Sequence, residues 1–155
     1  MIYNHLFVKL NLESRVLLHD LFQGCPIQVD LNAPVTLMIT PDMPTPDHVA
    51  LYQAQLMPLQ IQYDPITEIK TLVLPIMSES LMGRYEGLIE QGIRPAYGDF
   101  YFPHIMLNAD LPPVRHRYKS ILNSLSDAFV SYQHKITLGE ETVVTEDFDS
   151  QPATA

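Results

Sequence analysis

The sequence predicts an α+β domain with two similar halves. Stretches that alternate apolar and polar residues, as half-buried strands do, are interspersed with stretches whose apolar residues recur at helical spacing. The first half runs strand, helix, strand, helix, and the second repeats that order before its closing strands. Thirteen prolines punctuate the chain and mark short elements joined by stiff turns. This echo implies a two-lobed fold, with a sheet from each half facing a shared cleft.

The elements follow in order. Residues 2–10 (IYNHLFVKL) place Leu6, Val8 and Leu10 on one face and His5, Phe7 and Lys9 on the other, which predicts a strand. Asn11 is suited to cap a helix over 12–23, with Val16, Leu17, Leu21 and Phe22 inward and Gly24 ending it. Residues 34–40 (PVTLMIT) form a second strand, with Val35, Leu37 and Ile39 opposite Pro34, Thr36, Met38 and Thr40. After the connector 41–46, Thr45 and Pro46 carry helix-start chemistry, and Val49, Tyr52 and Leu56 predict a helix to about residue 56. Strands are expected over 59–64 and 66–76, broken at Asp64-Pro65. Ser78 caps a predicted helix through Gln91 with Leu81, Met82, Tyr85, Leu88 and Ile89 inward, and Gly92 occupies the position after its end. Gly98-Asp99 reads as a turn before the strand around His104. Pro112-Pro113 open a helix to about Leu125, with Tyr118, Ile121, Leu122 and Leu125 inward and Arg115, Arg117 and Lys119 on a solvated face. Closing strands are expected over 128–136 and 141–146. Residues 1–146 form one domain, and 147–155 form an acidic tail expected to be disordered.

Composition narrows the function. The chain has 155 residues, 46% hydrophobic, which suffices for one domain with a sizeable core. Nine Lys+Arg against 18 Asp+Glu give a formal charge of −9, and the cations are scattered, so extended nucleic-acid binding is not expected. A compact phosphate site needs only a few donors. The one cysteine, Cys25, excludes an internal disulfide and reads as a small apolar residue in a reduced, cytoplasmic compartment. No signal-peptide pattern or membrane-length apolar run is expected. No cofactor-binding fingerprint occurs: Walker, Rossmann and Gly-x-Ser-x-Gly motifs are all absent. His19, His48 and His116 fall on predicted helices without the i, i+4 pairing of a metal site, so neither metal nor cofactor is expected.

The informative stretch is 97–108 (YGDFYFPHIMLN), where His104 sits inside an apolar strand. Period-two geometry puts His104 with Phe102 and Met106, while Tyr101, Ile105 and Leu107 face the other way. Seventy positions before His104 lies Pro34, which begins the strand containing Thr36. The order and spacing of elements over about 2–146 resemble the 2H phosphoesterase family. In that family two lobes each carry a His-x-Thr/Ser strand pointing into a common groove. The closest likeness is to its small phage-encoded branch that destroys cyclic oligonucleotide signals. The resemblance implies mostly antiparallel sheets facing the groove, with helices outside.

Each motif here keeps one of its two members. His104-Ile105-Met106 retains the imidazole and replaces the hydroxyl with a thioether, whereas Pro34-Val35-Thr36 retains the hydroxyl and lacks the imidazole. In-line cleavage of a phosphodiester needs a base on the attacking hydroxyl and an acid on the leaving oxygen, roles that two imidazoles fill. Hydroxyls hold the non-bridging oxygens. Losing an acid/base costs about 10²–10⁴ in rate, and losing a positioned donor about 10²–10³.

Among possible replacements, His5 and Lys9 share a strand face and could reach a phosphate. His134-Lys135-Ile136-Thr137 has the wrong parity for a motif. Glu140, Glu141 and Glu146 read as an exposed edge, since carboxylates beside a phosphate groove repel it. The expected function is therefore binding by a catalytically degenerate member of the family. It would serve as a structural or accessory subunit of a larger, phage-type assembly with a protein partner, or would sequester a cyclic or short nucleotide. Pro34, Phe102 and Met106 would make its groove apolar, and no membrane partner is expected. The alternative is an active, metal-independent phosphodiesterase on cyclic oligonucleotides or 2′,3′-cyclic phosphates, with His104 as acid/base and Thr36 as phosphate donor.

Overall fold

The structure, a computed structural model, describes residues 2–23, 29–63, 65–66, 68, 70–96, 101–107, 115–131 and 135–147. Gly24, Cys25, the Gly98-Asp99 turn, Pro112-Pro113, His134, residues 148–155 and the side chains of Arg115, His116, Arg117, Tyr118 and Ile121 lie outside that description.

The described residues form an α+β fold of seven strands and three helices, with every strand pairing antiparallel. In chain order they are β1 (Ile2–Leu10), α1 (Leu12–Phe22), β2 (Val35–Thr40), β3 (Tyr52–Leu56), β4 (Gln60–Tyr63), β5 (Lys70–Met77), α2 (Glu79–Glu90), β6 (His104–Met106), α3 (Arg115–Ser131) and β7 (Ile136–Asp147).

Neighbouring strands run β2, β1, β7, β3, β5. β4 continues β3 along the same edge of β5, and β6 pairs with the opposite edge: Val73 stands between Gln60 and Met106. Pro75 lies at the break between β3 and β4. There its carbonyl accepts from Met57 N–H at 3.0 Å, and its missing N–H costs no ladder bond. Flanked on both sides, Leu72 to Ile76 are all buried.

α1 and α2 begin as their caps dictate. Asn11 Oδ1 accepts from Ser14 N–H at 2.9 Å, and Ser14 Oγ in turn accepts from Thr137 N–H at 2.7 Å, which ties the start of α1 to β7. α1 is rotated from the expected face. Ser14, Leu18 and Phe22 are buried and Val16 is exposed, because the helix packs Phe22 edge-on against Phe129 of α3, centroids 5.4 Å apart. α2 matches its prediction: Ser78 caps it, Gly92 follows at φ 90°, and Leu81, Tyr85 and Leu88 are buried. Met82 and Ile89 of the expected stripe remain exposed.

Two expected elements are overturned. Residues 46–56 do not form a helix. Tyr52, Ala54 and Leu56 alternate as the buried face of β3, and Val49 is 85% exposed. Here pairing with β5 and β7 overrides the local helix-start signal at Thr45-Pro46. Likewise 128–131 continue α3, since Leu122, Leu125 and Phe129 keep helical spacing against the core. Among the described residues a single strand, β7, follows α3.

Glu141, expected on an exposed edge, is fully buried. Its carboxylate accepts from Asp47 N–H at 3.0 Å, from Arg84 Nε and Nη2 at 2.9 Å each, and from the Tyr52 hydroxyl. Arg84 Nη2 also donates to the Thr45 carbonyl at 2.9 Å. One buried anion thus joins β7, β3, α2 and the 42–51 connector. Burial and this hydrogen bond raise the Tyr52 pKa, and the carboxylate raises that of Arg84. The connector also runs so close to β7 that a Cβ on Gly139 would meet the Ala50 carbonyl oxygen at 2.7 Å, so only glycine fits there.

Arg84→Met leaves the Glu141 carboxylate buried and unpaired. It is expected to lower unfolding free energy by about 3–5 kcal/mol in urea titrations, with part of the loss recovered in Arg84→Met/Glu141→Leu. An unchanged midpoint in the single variant would show that this anion does not hold the joint.

Candidate functional site

β2 and β6 stand far apart in strand order, yet they lie side by side. Three hydrogen bonds cross between their neighbourhoods: Asp30 N–H to the Leu107 carbonyl at 2.7 Å, Ala96 N–H to the Ile39 carbonyl at 2.7 Å, and the Tyr101 hydroxyl to the Thr36 carbonyl at 3.0 Å. Between the strands opens a cavity of about 310 Å³ lined by Thr36, Leu37, Met38, Ile39, Tyr85, Pro95, Tyr101, Phe102 and His104. Thr36 and His104, singled out from sequence, therefore share one cavity, and Phe102 lines it with them.

The orientation of Thr36 depends on a bulge. β1 and β2 pair as Leu6↔Met38 and then Phe7↔Thr36, which leaves Leu37 as the extra residue. Simple alternation put Thr36, Met38 and Thr40 on one face. The bulge breaks that parity: Thr36 lies across from Phe7 and Ile39 across from His5, while Met38 and Thr40 are buried opposite Leu6 and Asn4.

His5 reaches diagonally to this threonine. Its Nε2 and Thr36 Oγ1 share a hydrogen bond of 2.9 Å, and its ring lies 5.2 Å from that of Phe7. Burial pushes the His5 pKa below the usual histidine value, with the charge of Glu146 acting in the opposite direction. His5 is therefore biased toward its neutral form. Lys9 does not join the pair: its ammonium sits 5.9 Å from the Phe7 ring centroid, within cation–π reach.

On the other wall, His104 Nδ1 lies 2.7 Å from the Phe102 carbonyl oxygen. A carbonyl only accepts, so Nδ1 carries a proton, and a neutral ring then has its lone pair on Nε2. This is the tautomer of a base or hydrogen-bond acceptor. The ring also stacks on Phe102, centroids 5.1 Å apart. Tyr85 and Tyr101 stack at 4.6 Å and 7°. Burial raises the Tyr101 pKa, so its hydroxyl stays protonated and holds the main chain of Thr36.

Pro34 and Met106 flank the site without lining the cavity. Both are half-buried, Pro34 just before β2 and Met106 opposite Val73. Tyr85 is buried, as expected of the inward face of α2, and also lines the cavity. Tyr101, expected to face away from His104, lines the cavity with it. Among the described residues no group of three or more His, Cys, Asp or Glu is gathered as a metal site would require. No described helix is long and apolar enough to cross a membrane.

The cavity is thus aromatic and aliphatic, with a threonine hydroxyl, two tyrosines and one imidazole on its wall and a second imidazole behind the threonine. Such a surface can stack a flat ring and offer a few directed polar contacts. The chain matches no protein-family model and no curated protein.

The lowered His5 pKa has a definite sign. A histidine whose folded pKa lies below its unfolded value contributes stability above the unfolded pKa, and this is lost as pH falls through the folded one. Thermal midpoints are expected to fall between pH 7.5 and pH 5, and to fall less in His5→Gln. Equal slopes in both proteins would contradict the burial of a neutral ring.

Proposed function

We propose that this chain is a two-lobed, 2H-phosphoesterase-like domain that binds a short or cyclic nucleotide between β2 and β6 and holds it with little turnover. β2–β1–β7 would form one lobe and β3/β4–β5–β6 the other. The observation that carries this reading is the shared cavity: the hydroxyl retained in one motif and the imidazole retained in the other line the same space. Its volume lies at the low end for small-molecule sites, and its aromatic wall suits a nucleobase. An open cavity favours a small ligand over a role confined to assembly. Little turnover follows from the chemistry that is missing, since Met106 supplies no hydroxyl and Pro34 no imidazole.

A specific contact favours a second reading, an active phosphodiesterase. His5 touches Thr36 through Nε2, so a second imidazole stands beside the retained hydroxyl although it comes from another strand. In that case His5 and His104 would divide the base and acid roles, and Thr36 would hold a non-bridging oxygen.

Calorimetry and product analysis with cyclic di- and trinucleotides and 2′,3′-cyclic mononucleotides separate the readings. Sequestration predicts micromolar or tighter binding with substrate intact, weakened about ten- to a hundredfold in Thr36→Val. Turnover that falls by about 10²–10⁴ in His104→Ala would establish the enzyme instead. No heat with any of these ligands would leave the role of an accessory subunit.

A further inference from the structure

A second opening lies on the other side of the segment that carries His104. It is a groove of about 380 Å³ between the start of α2 and the end of β5, floored by Ile76, Met82 and Pro103, with Met77 at its edge. Met77 is 53% exposed, and Met82 is also exposed. Methionines in such a position give a deformable apolar surface.

The helix side of the groove is made by Glu79, Met82, Gly83 and Glu86, which share one exposed face of α2 at i, i+3, i+4 and i+7. Gly83 lies within the helix, where glycine costs about 1 kcal/mol relative to alanine. Nothing lies within 4 Å of where its Cβ would be, so internal packing does not demand glycine. Its effect is to keep the groove open. Glu79 and Glu86 stand on either side, both exposed, and among the described residues neither has an ion-pair partner.

We infer that this groove docks a basic, amphipathic segment of a partner protein, its apolar side chains over Met82 and Gly83 and its Lys or Arg residues against Glu79 and Glu86. The choice of occupant rests on charge complementarity at the rim, strengthened by the chain's net charge of −9. The inference is independent of what the β2–β6 cavity binds.

The test uses the full chain and two labelled 14-residue peptides of identical Leu and Lys content. One has its leucines at i, i+3, i+4 and i+7, and the other is scrambled to remove the apolar face. Fluorescence anisotropy is expected to show micromolar binding of the amphipathic peptide alone. Gly83→Leu, whose Cβ would meet nothing within 4 Å and whose side chain is expected to occupy the groove, is expected to weaken it at least tenfold, as is Glu79→Lys/Glu86→Lys. Circular dichroism and thermal midpoints confirm that the variants fold. Equal binding of both peptides, unchanged binding in folded variants, or no binding of either peptide would overturn the inference.

Discussion

The arrangement of this molecule depends on one buried charge. A carboxylate shut away from water is tolerable only when its hydrogen-bonding capacity is met, and Glu141 meets it with donors from a connector, a helix and a neighbouring strand. β7 pairs with β1 on one side and β3 on the other, and Glu141 lies on that central strand. Arg84 anchors α2, whose next residue, Tyr85, enters the cavity wall. The position of the cavity wall is thus linked to an electrostatic demand made in the sheet. Because hydrogen bonds are directional, the joint sets an orientation that apolar packing alone would leave looser.

At the cavity, directed contacts are few and each is oriented by a neighbour. Tyr101 holds the main chain of Thr36, His5 holds its hydroxyl, and the Phe102 carbonyl sets the tautomer of His104. No lysine or arginine is among the lining residues. An anion there would meet dipoles and imidazoles in place of a lysine or arginine charge, so shape and stacking would carry much of its recognition.

Much of this was legible in the sequence, and what was not has physical causes. The period-two pattern of residues 2–10 and the Ser78 and Gly92 signals around α2 survive because local preference and burial agree. At 52–56 they conflict: Tyr-Gln-Ala-Gln-Leu fits either period, and the decision rests with β5 and β7, far away in the chain. The run Phe129-Val130-Ser131 has strand-like composition, yet the core places Phe129 in register with Leu122 and Leu125 on a helix. Glu141 reads as a surface residue because its partners, Arg84 and Tyr52, lie 57 and 89 positions earlier. Thr36 and His104 could be paired only through the family resemblance, whereas the contact from His5 follows from a one-residue bulge that alternation does not reveal.

The hydrogen bonds that reach β2 from the second half of the chain bear on solubility as well. An edge strand with unpaired backbone groups is a template on which another chain can add a strand, and such addition is a common start of aggregation. On β2 the carbonyls of Thr36 and Ile39 are already taken, by the Tyr101 hydroxyl and by Ala96 N–H. A chain arriving at that edge would have to displace contacts that also shape the cavity. The residues that build the cavity wall therefore also hem the sheet, and mutations that loosen one would expose the other.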